Sequence, residues 1–179
     1  MLQKYPNAAW RMDHNHDYRK LRKDDPSLKA IAAFLNKLKK RYPRFIDIKK
    51  TGESVGGNDI FLVEITDKRV PDENKEIPFF YACEHGDEHS ATVTLLKVME
   101  WLMTPRAALI REKQKVLIVP CVNPDGYETF HQDNMNGVNL YADYSLNAPP
   151  AQPESRAIAF QQKTRDLLSI ARRHLPGHG

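Results

Sequence analysis

Apolar side chains at Leu28, Ile31, Leu35 and Leu38 fall on one face of a 3.6-residue repeat, while Lys29, Lys37, Lys39 and Lys40 occupy the other. That pattern predicts an amphipathic helix that starts at Asp25-Pro26-Ser27 and stops before Pro43. The period then shortens. Phe45-Ile46-Asp47-Ile48 and Ile60-Phe61-Leu62-Val63-Glu64-Ile65 read as strands, joined by the glycine-rich connection Gly52 to Asp59. This connection lacks the Gly-Lys-Ser/Thr ending of a phosphate loop.

After a charged stretch, Asp67 to Glu76, the chain gives Phe79-Phe80-Tyr81-Ala82-Cys83, a short buried strand opened by Pro78. Leu95, Leu96, Met99, Leu102 and Met103 then recur at helical spacing, with Ser90 placed as N-cap and Pro105 beyond the end. Lys115 to Val122 is continuously apolar in its middle, as expected of a strand covered on both faces. Strand, helix, strand implies a right-handed parallel crossover whose strand C-termini share one edge, where ligands of open α/β sheets bind. Asn123-Pro124-Asp125-Gly126 marks a turn at that edge. A polar loop runs on from His131, and Pro149, Pro150 and Pro153 lead into a last helix over Glu154 to His174.

At 179 residues the chain fits one domain, taken as residues 18–179 behind a polar tail of residues 1–17 that carries His14 and His16. The net charge is +4, with Lys and Arg dispersed among 23 acidic residues, which describes a solvated surface. The basic stretch Lys37 to Arg44 has only Tyr42 as an interleaved aromatic, so a nucleic-acid partner is not expected. No run of about 18 apolar residues and no N-terminal hydrophobic stretch is seen, so no membrane span is expected and the cytoplasm is the expected location. Cys83 and Cys121 form no C-x-x-C pair and read as reduced core residues; on neighbouring strands their thiols would lie close, but spacing alone establishes no bond.

The chemistry concentrates between the central strand and its helix, at His85-Gly86-Asp87-Glu88-His89. An imidazole and a carboxylate three residues apart can both reach one small cation of the zinc type, which takes N and O ligands near 2 Å. A polar turn also carries such residues for solvation alone. His85-x-x-Glu88-His89 fits, in addition, the inverted zincin pattern, in which both histidines bind zinc and the glutamate is the base.

Taken in order, these segments resemble the zinc carboxypeptidases of the carboxypeptidase A type over about residues 18–160. The resemblance rests on Tyr42-Pro43, Gly52-x-Ser54 with Gly57, His85-Gly86-x-Glu88, Val122-Asn123-Pro124-Asp125-Gly126-Tyr127-Glu128, Gly137-Val138-x-Leu140 and Pro153-Glu154-Ser155-Arg156-Ala157. It implies a three-layer α/β/α fold with a mixed, mainly parallel sheet, its C-terminal part missing here. It implies one zinc per chain, with His85 and Glu88 as ligands, completed by a later histidine, for which His174 or His178 is the candidate. The implied chemistry is hydrolysis of a peptide or small amide by a zinc-activated water, with a downstream glutamate as base; this chain offers no candidate for that glutamate. The segment from Gln132 to Tyr144 corresponds to the family's substrate-binding stretch, which places Gln132, Asn134 and Tyr141 at the substrate.

That stretch departs from the family. Gln132 stands where an arginine is usual, and Tyr141-Ala142 stands where Asn-Arg is usual. Replacing a buried charge-assisted clamp by a neutral group costs on the order of 10² to 10³ in rate or affinity. A second reading follows, that of a non-catalytic or decayed relative with weak or no zinc binding. A sheet deprived of its last strands would also expose an edge and favour self-association.

Overall fold

The computed structural model of the chain describes residues 24–145 and 148–174. The polar tail of residues 1–17, with His14 and His16, lies outside the described residues.

Helix α1 spans Leu28–Arg41, one residue past Ser27, whose hydroxyl accepts from the Ala30 amide. Ile31, Leu35 and Leu38 are its buried residues, as their spacing predicts. Strand β1 (Ile46–Glu53) and strand β2 (Asp59–Ile65) form an antiparallel hairpin with a register shift between Lys50 and Gly52. Strand β3 is short (Phe79–Tyr81), helix α2 runs His89–Leu102, helix α3 runs Ala108–Lys113, and strand β4 covers Val116–Val119. Helix α4 (Pro124–Thr129), a 3-10 turn at Leu140–Asp143 and helix α5 (Pro153–His174) complete the described chain.

The sheet order is β1-β2-β4-β3. β3 and β4 pair in parallel across the α2 crossover, while β2 pairs with β1 and β4 antiparallel. The sheet is therefore mixed, as expected, although among the described residues the parallel share is the β3–β4 ladder with one isolated bridge between Glu76 and Gln114. The reason is local: β1 and β2 are joined by a connection too short for a parallel return.

Period-two alternation divides the core into two layers. Val63 and Ile65 of β2 and Val116 and Ile118 of β4 face α1 and α2, packing with Leu35, Ile46, Met99 and Leu102. Ile60, Leu62, Leu117 and Val119 face the opposite side, against Leu140, Ala157 and Ile158. Each such fully buried aliphatic contributes roughly 1.5–3 kcal/mol. All four β4 residues are buried, which is what its unbroken apolar run requires.

Two sequence expectations need correction. Ser90 is not the α2 N-cap; the helix begins at His89 behind Glu88, which makes no side-chain cap. The Glu88 amide donates to the His85 carbonyl at 3.1 Å, so the turn that carries both residues runs straight into the helix. Asn123 to Gly126 is the first turn of α4 rather than a free turn. The Asn123 side chain accepts from the Gly126 amide, and Pro124 supplies a preset φ at the first helical position, so residues that punctuate a turn here begin a helix.

Candidate metal centre

The chain leaves β3 through Ala82 and Cys83, whose φ of +61° bends the backbone out of the strand. His85 and Glu88 follow on the turn, as their position between strand and helix predicts. That turn is held from below by α4 and the loop after it. The Gly86 amide donates to the Gln132 carbonyl at 3.1 Å. The Asn123 amide group donates to the Glu84 carbonyl at 3.3 Å and to the Gln132 carbonyl at 3.2 Å. Gly86 admits no other residue without rearrangement, since a Cβ there would sit 2.2 Å from the Gly126 carbonyl carbon and 2.5 Å from the His131 carbonyl oxygen.

The loop itself is built on buried carboxylates. Asp125 accepts from the Ser54 hydroxyl, the Gly56 amide and the Asn58 side chain, each at 2.8 Å. Glu154, fully buried, accepts from the Val55 amide at 3.0 Å and from Asn134 at 3.2 Å. These contacts tie the β1–β2 connection, α4 and the start of α5 into one platform under the turn.

The His85 ring lies between two oxygens. Its Nε2 is 3.2 Å from Asn139 Oδ1, and its Nδ1 is 3.3 Å from Glu88 Oε1. Asn139 Oδ1 also accepts the Tyr141 amide at 3.0 Å, capping the 3-10 turn. An atom that accepts a backbone N–H is the carbonyl oxygen of the side chain, so Nε2 must donate to it. In the neutral imidazole, Nδ1 then carries a bare lone pair directed at a carboxylate oxygen. Two acceptors at that distance repel each other unless a proton or a cation lies between them. Nitrogen and carboxylate oxygen are the donor types zinc accepts, so the pair fits the metal in kind. The Asn139 contact is of the kind that would orient a histidine for ligation. Among the described residues no group of three or more His, Cys, Asp and Glu gathers to hold a metal.

The remaining candidates are dispersed. His174 closes α5, where the structure describes its backbone alone, on a helix and not at the end of a strand; His178 lies outside the described residues. His89 is buried and turned away from the metal pair. Its Nε2 faces the Tyr127 carbonyl at 3.0 Å, its Nδ1 lies 3.2 Å from an Asp25 oxygen, and its ring stacks on Tyr127 at 3.7 Å. The inverted zincin pattern needs both histidines on one helix, whereas here His85 lies off the helix and His89 packs in the core. Asn134 is enclosed in the loop. It is buried, donating to Gln152 and Glu154 and accepting from the Asn136 and Val138 amides, so it organises the loop and leaves nothing for a substrate. Gln132 is exposed and anchors the turn through its backbone carbonyl, and Tyr141 is 71% exposed beside Asn139.

Glu84 adds a group that sequence reading passed over. Burial pushes its carboxyl above the ordinary range, opposed by the Tyr144 hydroxyl and by His85, with Glu88 adding like charge. Burial also raises the Tyr144 phenol. Asn139, Asn123 and the Gln132 carbonyl were missed too. Only Asn123 carried a readable signal, as an Asn before Pro at a helix start.

The description "Zinc carboxypeptidase" belongs to the family model that matches residues 31–158. Human carboxypeptidase D (Homo sapiens) is 29% identical over 188 residues, covering 96% of this chain and 13% of that protein. Mouse carboxypeptidase D (Mus musculus) is 32% identical over 162 residues, covering 81% of this chain and 12% of that protein. The chain thus spans about an eighth of the length of these curated relatives. A metallo-carboxypeptidase from Burkholderia cenocepacia superposes with a TM-score of 0.66 at 24% identity, over 76% of this chain and 37% of that one, a likeness of fold.

Proposed function

This chain belongs to the zinc carboxypeptidase family, and on that premise we propose that it carries the first two protein ligands of a zinc-dependent peptidase acting on peptide or small amide bonds. The observation that supports this reading most is the Asn139–His85–Glu88 relay. Asn139 fixes the ring so that the Nδ1 lone pair and Glu88 Oε1 converge. Zinc, when bound, supplies Lewis-acid polarisation of a substrate carbonyl and acidification of water. His85 and Glu88 hold it, Gly86 lets the turn sit flush on α4, and Asn123 and Asp125 keep that seat rigid. His174 or His178 remains the proposed third ligand.

The substrate side is weakly cationic. Gln132 offers a neutral donor on an exposed side chain and Ala142 offers none, so a terminal carboxylate meets no guanidinium at either position. The reading therefore predicts slow hydrolysis, abolished by a chelator, with little preference for a free C-terminal carboxylate over its amide. A paired set of peptides, free acid and amide, assayed with and without chelator, tests it. Fast turnover confined to the free acid would contradict the assignment of Gln132 and Ala142. Absence of both zinc binding and turnover favours the second reading, a non-catalytic relative with weak or no zinc binding, to which the same two positions point.

A further inference from the structure

Cys83 and Cys121 belong to no ligand set, yet the fold brings them together beneath the ligand turn. The parallel β3–β4 ladder does not stop at its last strand residues. The Ala82 amide donates to Val119 at 3.1 Å, Val122 donates back to Ala82 at 2.9 Å, and Asn123 donates to the Cys83 carbonyl at 2.9 Å. These bonds keep the two chains side by side past Tyr81 and Val119, with one extra residue on the β4 side; paired chains lie roughly 4.8 Å apart, inside the roughly 4.4–6.8 Å between Cα atoms that a disulfide spans. The +61° φ of Cys83 breaks the strand's alternation, so Ala82 and Cys83 are both buried and Cys83 faces the same core layer as Cys121. Both thiols are free in this structure. Burial, and then a hydrogen bond with the neighbouring Cys83 thiol, push the Cys121 thiol well up.

We infer that Cys83 and Cys121 are a site of disulfide formation, a cross-link joining the C-terminal ends of β3 and β4 directly under the metal-ligand turn. The Cys83 sulfur lies 3.3 Å from the His85 carbonyl oxygen, so the bond would form against the backbone of the ligand itself. The oxidant is a small disulfide such as glutathione disulfide. Cys83 sulfur displaces one glutathione and forms a mixed disulfide. Cys121 sulfur then attacks Cys83 sulfur and displaces the second. Two electrons pass from the cysteines to the oxidant, and the two thiol protons leave on two glutathione thiols.

The reduced, purified chain is incubated folded with glutathione disulfide, and in parallel is refolded from denaturant in the same buffer. It is then quenched in acid, unfolded, alkylated and mapped by mass. The expected result is loss of both alkylatable thiols, a mass about 2 Da lower for two hydrogens removed, and one peptide pair linking residues 83 and 121. Linkage only after refolding also supports the inference and sets the moment of pairing before the thiols are buried. Two alkylatable thiols under both regimes, or two glutathione adducts without a link, would overturn it. Cys121→Ser should leave no internal link; should that variant fail to fold, the wild-type map decides alone.

Discussion

Gly86 shows how far a single residue constrains the site. A methyl there meets backbone atoms of Gly126 and His131 at 2.2–2.5 Å, and backbone cannot swing aside as a long side chain can. Gly86→Ala should therefore lower stability by at least about 3 kcal/mol, read as a fall in the urea midpoint. An unchanged midpoint would mean that the turn does not sit on α4. Asn139 makes a different claim. Removing its oxygen in Asn139→Ala frees the His85 ring to rotate, and zinc affinity should fall about 10- to 100-fold, measured by competition with a chromogenic chelator, with only about 1 kcal/mol of stability lost from the 3-10 cap. Equal affinity in the variant would show that the ring is held by other means. The place of His85 and Glu88 was readable because a polar cluster between a short apolar run and a helical pattern falls on the strand-to-helix corner. Asn139 was not, since its role depends on a ring 54 residues away in sequence.

At the scale of elements, the helices and strands follow from their periodicity, and the errors arise where two structures share one vocabulary. Asn-Pro-Asp-Gly spells both a turn and a helix start; the partners that Asp125 finds in the β1–β2 connection favour the helix. Those partners are all donors. In Asp125→Asn an amide nitrogen must face at least one of them whichever way the group turns, so the variant should lose about 2–3 kcal/mol, seen in thermal and urea unfolding alike. A neutral outcome would mean that the β1–β2 connection does not depend on α4. Ser90 was displaced as N-cap for a related reason: His89 has its own place in the core between Tyr127 and Phe130, and the helix starts where that packing puts it.

Across the whole molecule, the unbroken apolar run of β4 was enough to foresee a sheet covered on both faces, but the pairing of β2 with β4 joins segments far apart in sequence and had no local signature. Two properties belong at this scale. Hydrogen bonds from Arg44 hold the Asp67 carboxyl below its ordinary value, with burial acting the other way. The unfolded chain therefore binds that proton more tightly than the fold does. The stability from this pair is complete above about pH 5 and lost as pH falls below about 4 through the lowered value. Arg44→Met should flatten the acid limb of stability against pH; an unaltered limb would show that other carboxylates dominate it. The β3 edge, where Phe80 and Tyr81 are 47% and 41% exposed, is open among the described residues and should drive self-association that rises with concentration in light scattering, whereas a monomer at all concentrations would refute it. Among the described residues no helix is long and apolar enough to cross a membrane. The account as a whole stands on His85 and Glu88 as a metal pair, and zinc content by elemental analysis tests it most directly, in the wild type and in His85→Ala. Close to one zinc per chain in the wild type, lost in the variant, is the predicted result. A wild-type chain that takes up no zinc from excess, or a variant that keeps it, would contradict the account.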